Sequence, residues 1–277
     1  MIKKNTIQKE IHLSGVGIHS GKMVDLLLRP SSSGGIIFRR TDLDNLEFNL
    51  DIKKIETKSS TYLASKGCKI QTLEHLLAVL YVFGIDSLII EINGDEIPIM
   101  DGSASPFVQA IVEAGIKPLS GKKRPIKVVK PFVFREKDET FSFYPASDFK
   151  ITYSIEYDHP VIQRQKLSLS VNLKSFVTEI APARTFGFLK DVPALRAQGL
   201  ALGGSLDNAV VLDEKGVISG SLRYPDEFVR HKILDLIGDL SLMGSPLIGH
   251  FKAHKAGHSL HLKAVHFLLN NPAYIGI

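Results

Sequence analysis

The chain has 277 residues, of which 44% are hydrophobic and 23% charged, and this is the composition of a globular protein with a sizeable core. Its formal net charge of +5 comes without a long Lys/Arg tract, so we expect no nucleic-acid partner and at most a peripheral association with an anionic membrane. One cysteine excludes an intramolecular disulfide, and the lack of a signal segment or of roughly 20 consecutive apolar residues predicts a cytoplasmic protein, which we expect to be a monomer.

The first half of the chain is predicted to contain strands, then a helix, a strand and a second helix. Alternating or β-branched residues, separated by Gly, Pro and Ser, predict strands at residues 6–15, 23–30, 34–41 and 46–52. A helix is predicted at 71–84, where Gly84 ends it. A buried strand at 87–93 and a helix at 105–115 complete this half.

The second half repeats this order after a stretch rich in Pro, Gly, Lys and Arg at 118–131, which we interpret as a linker that leads into a new strand. Strands are predicted at 126–136, 140–146, 150–157 and 165–172. The last three predicted elements are a long helix at 226–244, a strand at 246–254 and a helix at 258–269.

The two halves can be laid over each other. EHLLAVLYVFG at 74–84 matches RHKILDLIGDL at 230–240, and DGSAS at 101–105 falls within one residue of AGHSL at 256–260. Overlap at this low identity also arises by chance, but we favour a duplication. It predicts an α+β fold of two similar domains, 1–119 and 120–277, each a sheet layered with two helices. The domains would pack helix to helix with the active site between them.

A polar stripe runs along the mostly apolar helix at 226–244. His231, Asp235, Gly238 and Asp239 lie on one face of this helix, and the histidine and the first aspartate are four residues apart. A buried carboxylate needs a cation or several hydrogen-bond donors, and His and Asp at this spacing can hold one metal ion. The alternative is a core histidine whose hydrogen bonds are satisfied, without any metal.

The duplication supplies a third ligand, because His75 falls on His231 when the halves are superimposed. Two histidines and one carboxylate leave a coordination position open, as in hydrolytic zinc sites. Glu74 lies next to this third ligand, where a general base would be useful. His258 begins the last predicted helix and adds a titratable group at the equivalent place of the repeat.

A series of motifs resembles the bacterial UDP-3-O-acyl-N-acetylglucosamine deacetylases over nearly the whole chain. They are GVGIHSG (15–21), LRP (28–30), FRRTDL (38–43), TLEHLLA (72–78), EIPIMDGSASPF (96–107), ARTFGFLKD (183–191), GLALGGSLDNAVV (199–211), LRYPDEFVRHKILDLIGDL (222–240) and GHSLH (257–261). The resemblance implies two α+β domains and zinc-dependent hydrolysis of the N-acetyl group of UDP-3-O-acyl-N-acetylglucosamine. This releases acetate in the committed step of lipid A synthesis in Gram-negative bacteria.

The resemblance also implies the roles of the residues at the metal. The zinc ligands are expected at His75, His231 and Asp235, and Fe(II) is an alternative ion in the cell. Glu74 is expected to be the general base. The residues leave the preferred acyl length open, and also whether Glu74 or His258 protonates the leaving amine.

Three further residues are implied to take part in catalysis. His258 matches the histidine that acts on the leaving amine, and Asp239 matches the carboxylate that orients it. Thr185 matches a hydroxyl that faces the carbonyl oxygen of the substrate. From the residues alone, Thr185 could instead cap a turn before the next helix, and Asp239 could serve the structure only.

The remaining implied residues bind the substrate. Phe186 and an inserted segment at about 184–206 match the passage for the fatty acyl chain, and its apolar residues are Phe186, Phe188, Leu189, Leu195, Leu200 and Leu202. Lys232 and Asp191 match residues near the sugar nucleotide, and His19 matches a histidine at the rim of the site. The alternatives are a solvated lysine and a simple hairpin turn at GVGIHSG.

Two other functions compete with this one. The first is a metal-dependent amidase that acts on another acylated amine, such as a peptide, which would not need an apolar acyl passage. The second is a sugar-nucleotide or lipid-binding module with a structural zinc. Structural zinc sites usually have four protein ligands, often Cys, whereas this chain has one Cys and three candidate ligands.

Overall fold

The computed structural model describes residues 1–57, 60–65 and 67–276 and confirms the α+β fold. Its α-helices are α1 (Glu74–Val82), α2 (Ser105–Ala114), α3 (Leu173–Ser175), α4 (Val192–Ala197), α5 (Glu227–Ser241) and α6 (His258–Asn270). Its strands are β1 (Ile2–Ile7), β2 (Ile11–Val16), β3 (Met23–Pro30), β4 (Gly35–Arg40), β5 (Leu46–Asn49), β6 (Ile55–Thr57), β7 (Thr61–Ser65), β8 (Cys68–Ile70), β9 (Ser87–Ile92), β10 (Ile116–Lys123), β11 (Ile126–Val128), β12 (Phe132–Glu136), β13 (Glu139–Tyr144), β14 (Phe149–Glu156), β15 (Arg164–Ser170), β16 (Phe186–Phe188), β17 (Val210–Leu212), β18 (Leu247–His254) and β19 (Ile275–Gly276).

Two sheets share one strand topology, which confirms the recurrence seen in the sequence. In the first sheet the order is β2-β3-β9-β4-β5, with β9 antiparallel to β3 and parallel to β4. The second contains the order β12-β13-β18-β14-β15, with β18 antiparallel to β13 and parallel to β14. In both halves the central strand is preceded and followed by a long helix, α1 and α2 around β9 and α5 and α6 around β18.

Apolar residues of both sheets and of the four long helices form one continuous core. On β3, for example, Val24, Leu26 and Leu28 alternate with more exposed positions and face this core. Residues 74–80 of α1 are all buried, because this helix packs along α5 of the other half. Within the described ranges, we find no helix with the length and apolar character needed to cross a membrane.

The structure differs from the sequence prediction near the N-terminus and in the linker. The strand predicted at 6–15 is divided between β1 and β2, and the linker contains β10, which pairs antiparallel with β1. Most β10 side chains are exposed, so its sequence lacks an apolar alternation that would reveal a strand. Residues 119 and 120, where the sequence predicts that one domain ends and the next begins, lie inside β10. We propose that the domains divide within this strand.

The two halves touch closely where α1 meets α5. A Cβ placed on Gly238 of α5 would lie 2.2 Å from the backbone carbonyl oxygen of Glu74 on α1 and 2.8 Å from its Cα. Real Cβ atoms do not approach backbone atoms this closely, so only glycine fits at this crossing. The contact therefore explains why an otherwise apolar and well-packed helix contains a glycine at this position.

We predict that Gly238→Ala destabilises the protein. In an uncrowded helix the change from Gly to Ala stabilises by about 1 kcal/mol, but here the methyl group must push the helices apart. Overpacking of this kind typically costs about 1–3 kcal/mol, which urea unfolding would measure. Gly216→Ala is the control, because a Cβ there meets no atom within 4 Å. An unchanged or higher free energy of unfolding for Gly238→Ala would contradict the close contact.

Candidate metal centre and active site

The three predicted metal ligands meet at the crossing of α1 and α5. His75 lies in the first turn of α1, and His231 and Asp235 are one turn apart on α5. The Nε2 atom of His231 lies 3.4 Å from Asp235 Oδ1, and the Nε2 atom of His75 lies 3.6 Å from the same oxygen. All three ligand atoms lie within 4.8 Å of one another, and each residue is about 3% exposed. The structure thus brings together the residues that the sequence placed in different halves.

The contacts around these residues suit a divalent metal ion. The Nδ1–H of His231 donates to the carbonyl oxygen of Ala183 at 3.2 Å, which leaves the lone pair of Nε2 directed at the cluster. Burial lowers the pKa of His231 to about 4, although the Asp235 charge opposes it, so this imidazole is neutral. His75 Nδ1 is buried and has no hydrogen-bond partner among the described residues. Two imidazoles and a carboxylate are a fitting donor set for such an ion.

Asp235 stays ionised in this buried position. Burial alone would raise the pKa of its carboxyl, but interactions with its neighbours, including the positive charge of Lys232, outweigh burial and hold it well below its usual range. Lys232 Nζ donates to Asp235 Oδ2 at 3.0 Å and lies 5.9 Å from the centre of the Phe186 ring. Lys232 is therefore a partner of the cluster rather than a solvated neighbour of the stripe.

Glu74 is the first residue of α1 and lies beside the candidate metal ligands. Its Oε2 accepts a hydrogen bond from the backbone N–H of Thr61 at 3.2 Å, and its Oε1 lies 3.8 Å from His258 Nε2. Burial raises the pKa of the Glu74 carboxyl, and the nearby His258 partly opposes this rise. A carboxylate of raised pKa that lies beside these candidate ligands is suited to accept a proton.

His258 begins α6 and is held by Asp239 of α5. Its Nδ1 lies 2.7 Å from Asp239 Oδ2, and its Nε2 points towards Glu74 and Asp235. Burial would lower the pKa of His258, but the charge and hydrogen bond of Asp239 outweigh it and raise the value to about 9. Burial would raise the pKa of the Asp239 carboxyl, but the charge of His258 and the hydrogen bonds from His258 and His261 outweigh it and lower the value to about 2. His258 is therefore a cation at neutral pH.

One cavity of about 390 Å³ connects these groups to the predicted substrate-binding residues. All the site residues predicted from the sequence line it except Asp239, which lies behind His258. Thr185 is fixed through its backbone, which donates to Gly102 O at 2.8 Å and accepts from Val210 N at 2.8 Å. The next helix, α4, has Asp191 as its N-cap, so Thr185 does not cap it.

The inserted segment forms one wall of this cavity. Strands β16 and β17 pair in parallel and enclose α4, so this unit continues to Leu212, beyond the predicted end at 206. Of its predicted apolar residues, the cavity is lined by Phe186, Phe188 and Leu195. The other three, Leu189, Leu200 and Leu202, are not lining residues. Two of them are exposed at the surface: Leu189 and Leu202.

The loop GVGIHSG is a hairpin turn and also a wall of the site. Gly17 and Gly21 close the turn between β2 and β3 by a backbone hydrogen bond of 2.9 Å, and His19 lines the cavity. The backbone N–H groups of Leu202 and Gly203 donate to the carbonyls of residues 19 and 18 at 3.1 Å each. The hairpin thus holds the end of the inserted segment.

Thr61 and His261 belong to the hydrogen-bond network of the site but are not found by reasoning from the sequence. Thr61 lies on β7 and contacts both Glu74 and Asp239, but short strands give no periodic signal. His261 is buried, and its Nδ1 lies 2.8 Å from Asp239 Oδ2. Its spacing of three residues from His258 on one helix is the signal that could have identified it.

Comparison with known proteins assigns the family. The model of the family described as LpxC, UDP-3-O-acyl N-acetylglycosamine deacetylase, matches residues 4–270. A UDP-3-O-acyl-N-acetylglucosamine deacetylase of Thermodesulfovibrio yellowstonii is 49% identical, with 98% of this chain and 93% of the relative covered. The protein of the same name from Saccharophagus degradans is 46% identical, with 96% of this chain and 89% of the relative covered. The one from Neisseria meningitidis is 45% identical, with 98% of this chain and 92% of the relative covered. The chain therefore belongs to the UDP-3-O-acyl N-acetylglycosamine deacetylase family.

Proposed function

We propose that this protein is a metal-dependent deacetylase that hydrolyses the N-acetyl group of UDP-3-O-acyl-N-acetylglucosamine and releases acetate, the committed step of lipid A biosynthesis. The observation that carries the proposal is the convergence of His75, His231 and Asp235 with Glu74 and His258 in one cavity. Family membership and the names of the relatives support the choice of substrate.

The metal ion is proposed to be zinc, held by His75, His231 and Asp235. Iron(II) accepts the same imidazole and carboxylate ligands and is the alternative ion in the cell. When bound, such an ion polarises a carbonyl group and makes a water molecule more acidic. Three protein ligands leave room for the reacting groups, whereas a structural site would be closed by a fourth ligand.

Glu74 and His258 are proposed to move the protons. Glu74 takes a proton from the attacking water, because its buried carboxylate faces the cluster and has few compensating donors. His258 carries a positive charge next to Glu74 and stabilises negative charge that develops on the substrate. It also acts on the departing glucosamine nitrogen, while Asp239 fixes its orientation and charge. The Thr185 hydroxyl is proposed to face the acetyl carbonyl oxygen.

The substrate is proposed to extend from the metal in two directions. Lys232 stays protonated, because the charge of Asp235 outweighs burial and raises its pKa, and it is suited to the diphosphate with Asp191 nearby in the cavity. The acyl chain is proposed to lie along Phe186, Phe188 and the inserted segment, with His19 at the rim.

The cellular setting belongs to the same proposal. We propose a cytoplasmic, monomeric enzyme that takes its small-molecule substrate without nucleic acid and with at most peripheral membrane contact. Basic residues outnumber acidic ones and give the chain a formal net charge of +5, which is compatible with an anionic membrane surface nearby.

We predict acetate release from UDP-3-O-acyl-N-acetylglucosamine and its loss with a chelator. The unacylated sugar nucleotide should have a kcat/KM lower by orders of magnitude, because each buried CH₂ contributes about 0.8 kcal/mol. An acetylated peptide serves as the control for the rival amidase function. Equal turnover of the unacylated sugar nucleotide would contradict the acyl passage, and turnover of the peptide alone would contradict the proposed substrate.

The metal ligands and the base should respond differently to mutation. Asp235→Ala is expected to lose both metal and activity, since a ligand is removed. Glu74→Ala should keep the metal but lower kcat by about 10²–10⁴-fold, the usual contribution of general base catalysis. Elemental analysis and initial rates measure both effects, with the exposed Glu113→Ala as control. Loss of the metal from Glu74→Ala would show that Glu74 is a ligand instead.

The pH dependence of kcat/KM should have an alkaline limb that depends on His258. The imidazolium is the active form, so activity falls as the pH rises through the pKa of His258, which is about 9 in the protein without metal. A divalent cation nearby lowers this pKa, so the limb is expected at or below pH 9. His258→Ala should be slow, should keep the metal and should lack this limb. If His258→Ala kept the alkaline limb of the wild-type pH profile, His258 would not be the group whose protonated form is needed for activity.

A further inference from the structure

Thr61 connects the two groups that are proposed to move protons. It begins β7 of the first half and is fully buried. Its hydroxyl donates to Asp239 Oδ1 at 2.6 Å, a contact between residues 178 positions apart, and the same oxygen lies 3.2 Å from His258 Nδ1. Its backbone N–H donates to Glu74 Oε2 at 3.2 Å. One residue therefore contacts both the proposed base and the carboxylate that holds His258.

The hydroxyl of Thr61 completes the hydrogen bonding of Asp239. The Oδ2 atom of Asp239 is occupied by the Nδ1 atoms of His258 and His261, at 2.7 Å and 2.8 Å. Within the described ranges, the hydrogen bond to Oδ1 comes from Thr61. A buried carboxylate oxygen without a donor is costly, so the carboxylate would rotate or shift if this hydroxyl were removed. His258 would move with it, because it is bound to the same group.

We propose that Thr61 is a positioning residue for deacetylation, which fixes Asp239, and through it His258, relative to Glu74. This inference rests on the proposed function. His258 Nε2 and Glu74 Oε1 lie 3.8 Å apart and would act on the same reacting centre. A displacement of about 1 Å in such an arrangement is enough to lower a rate strongly. Thr61 does not itself line the cavity, and within the described ranges its hydrogen bonds reach Glu74, Asp239 and His258 rather than the proposed metal ligands, so it is expected to affect kcat and not substrate binding.

The test compares Thr61→Val, which removes only the hydroxyl function and keeps a β-branched side chain, with Thr61→Ser, which retains the hydroxyl. Thr61→Val should lower kcat by about ten- to a hundred-fold, the rate equivalent of a charge-assisted hydrogen bond, with KM and metal content unchanged. Thr61→Ser should restore most of kcat. Thr6→Val is the matched control, because Thr6 is also buried and its hydroxyl accepts a hydrogen bond from Ser31 N at 3.0 Å in another part of the fold.

Both valine variants lose a buried hydrogen bond, so both should lose similar stability, but only Thr61→Val should lose kcat. In the Asp239→Ala background, Thr61→Val should have little further effect, since its partner is already absent. The imidazole N–H proton of His258, observed by NMR without substrate, should shift in Thr61→Val and return in Thr61→Ser.

Wild-type kcat in Thr61→Val, no rescue by serine, or additive losses with Asp239→Ala would overturn the positioning role while leaving the deacetylase intact. Absence of acetate release by the wild-type enzyme would instead overturn the proposed function, and the positioning role in deacetylation with it.

Discussion

The backbone contact between Gly238 and Glu74 is the constraint on which the proposed site depends. A metal ion binds nitrogen and oxygen ligands at about 2 Å, so ligands from two helices converge on it only if those helices pack closely. The glycine on α5 allows α1 to approach until a Cβ would overlap its backbone. This approach places His75 of one half beside His231 and Asp235 of the other. The two halves share one strand topology, and the proposed site lies where their helices touch.

The three carboxylates buried at this crossing differ in pKa, because each has different neighbours. Asp235 is compensated by Lys232, and Asp239 by two histidines and a hydroxyl, so the pKa of each stays below its usual value despite burial. Among the described residues Glu74 receives one backbone hydrogen bond, and burial raises its pKa. The least compensated carboxylate is the one best suited to accept a proton. Similar residue types thus take different roles because of their neighbours.

The repeated fold and the proximity of the three candidate metal ligands could be predicted from the spacing within each half and from the similarity of the two halves. His231 and Asp235 are four residues apart on one helix, and aligning the halves was enough to find His75. Contacts between distant segments could not be predicted in this way. Thr61 reaches Asp239 across 178 residues from a short strand, and the exposure of Leu202 depends on how the inserted segment folds. The roles of Asp191 and His19 came from the family resemblance rather than from spacing.

The most direct test of the site at the helix crossing is anomalous X-ray diffraction from crystals grown with zinc, recorded on both sides of the zinc absorption edge. The proposed site predicts one strong anomalous peak within bonding distance of His75, His231 and Asp235, about 2.0–2.2 Å from each ligand atom. Glu74 should approach this peak without binding it directly. A peak bound elsewhere in an active crystal, or bound by residues of only one half, would contradict a metal centre that is built by the contact of the two halves.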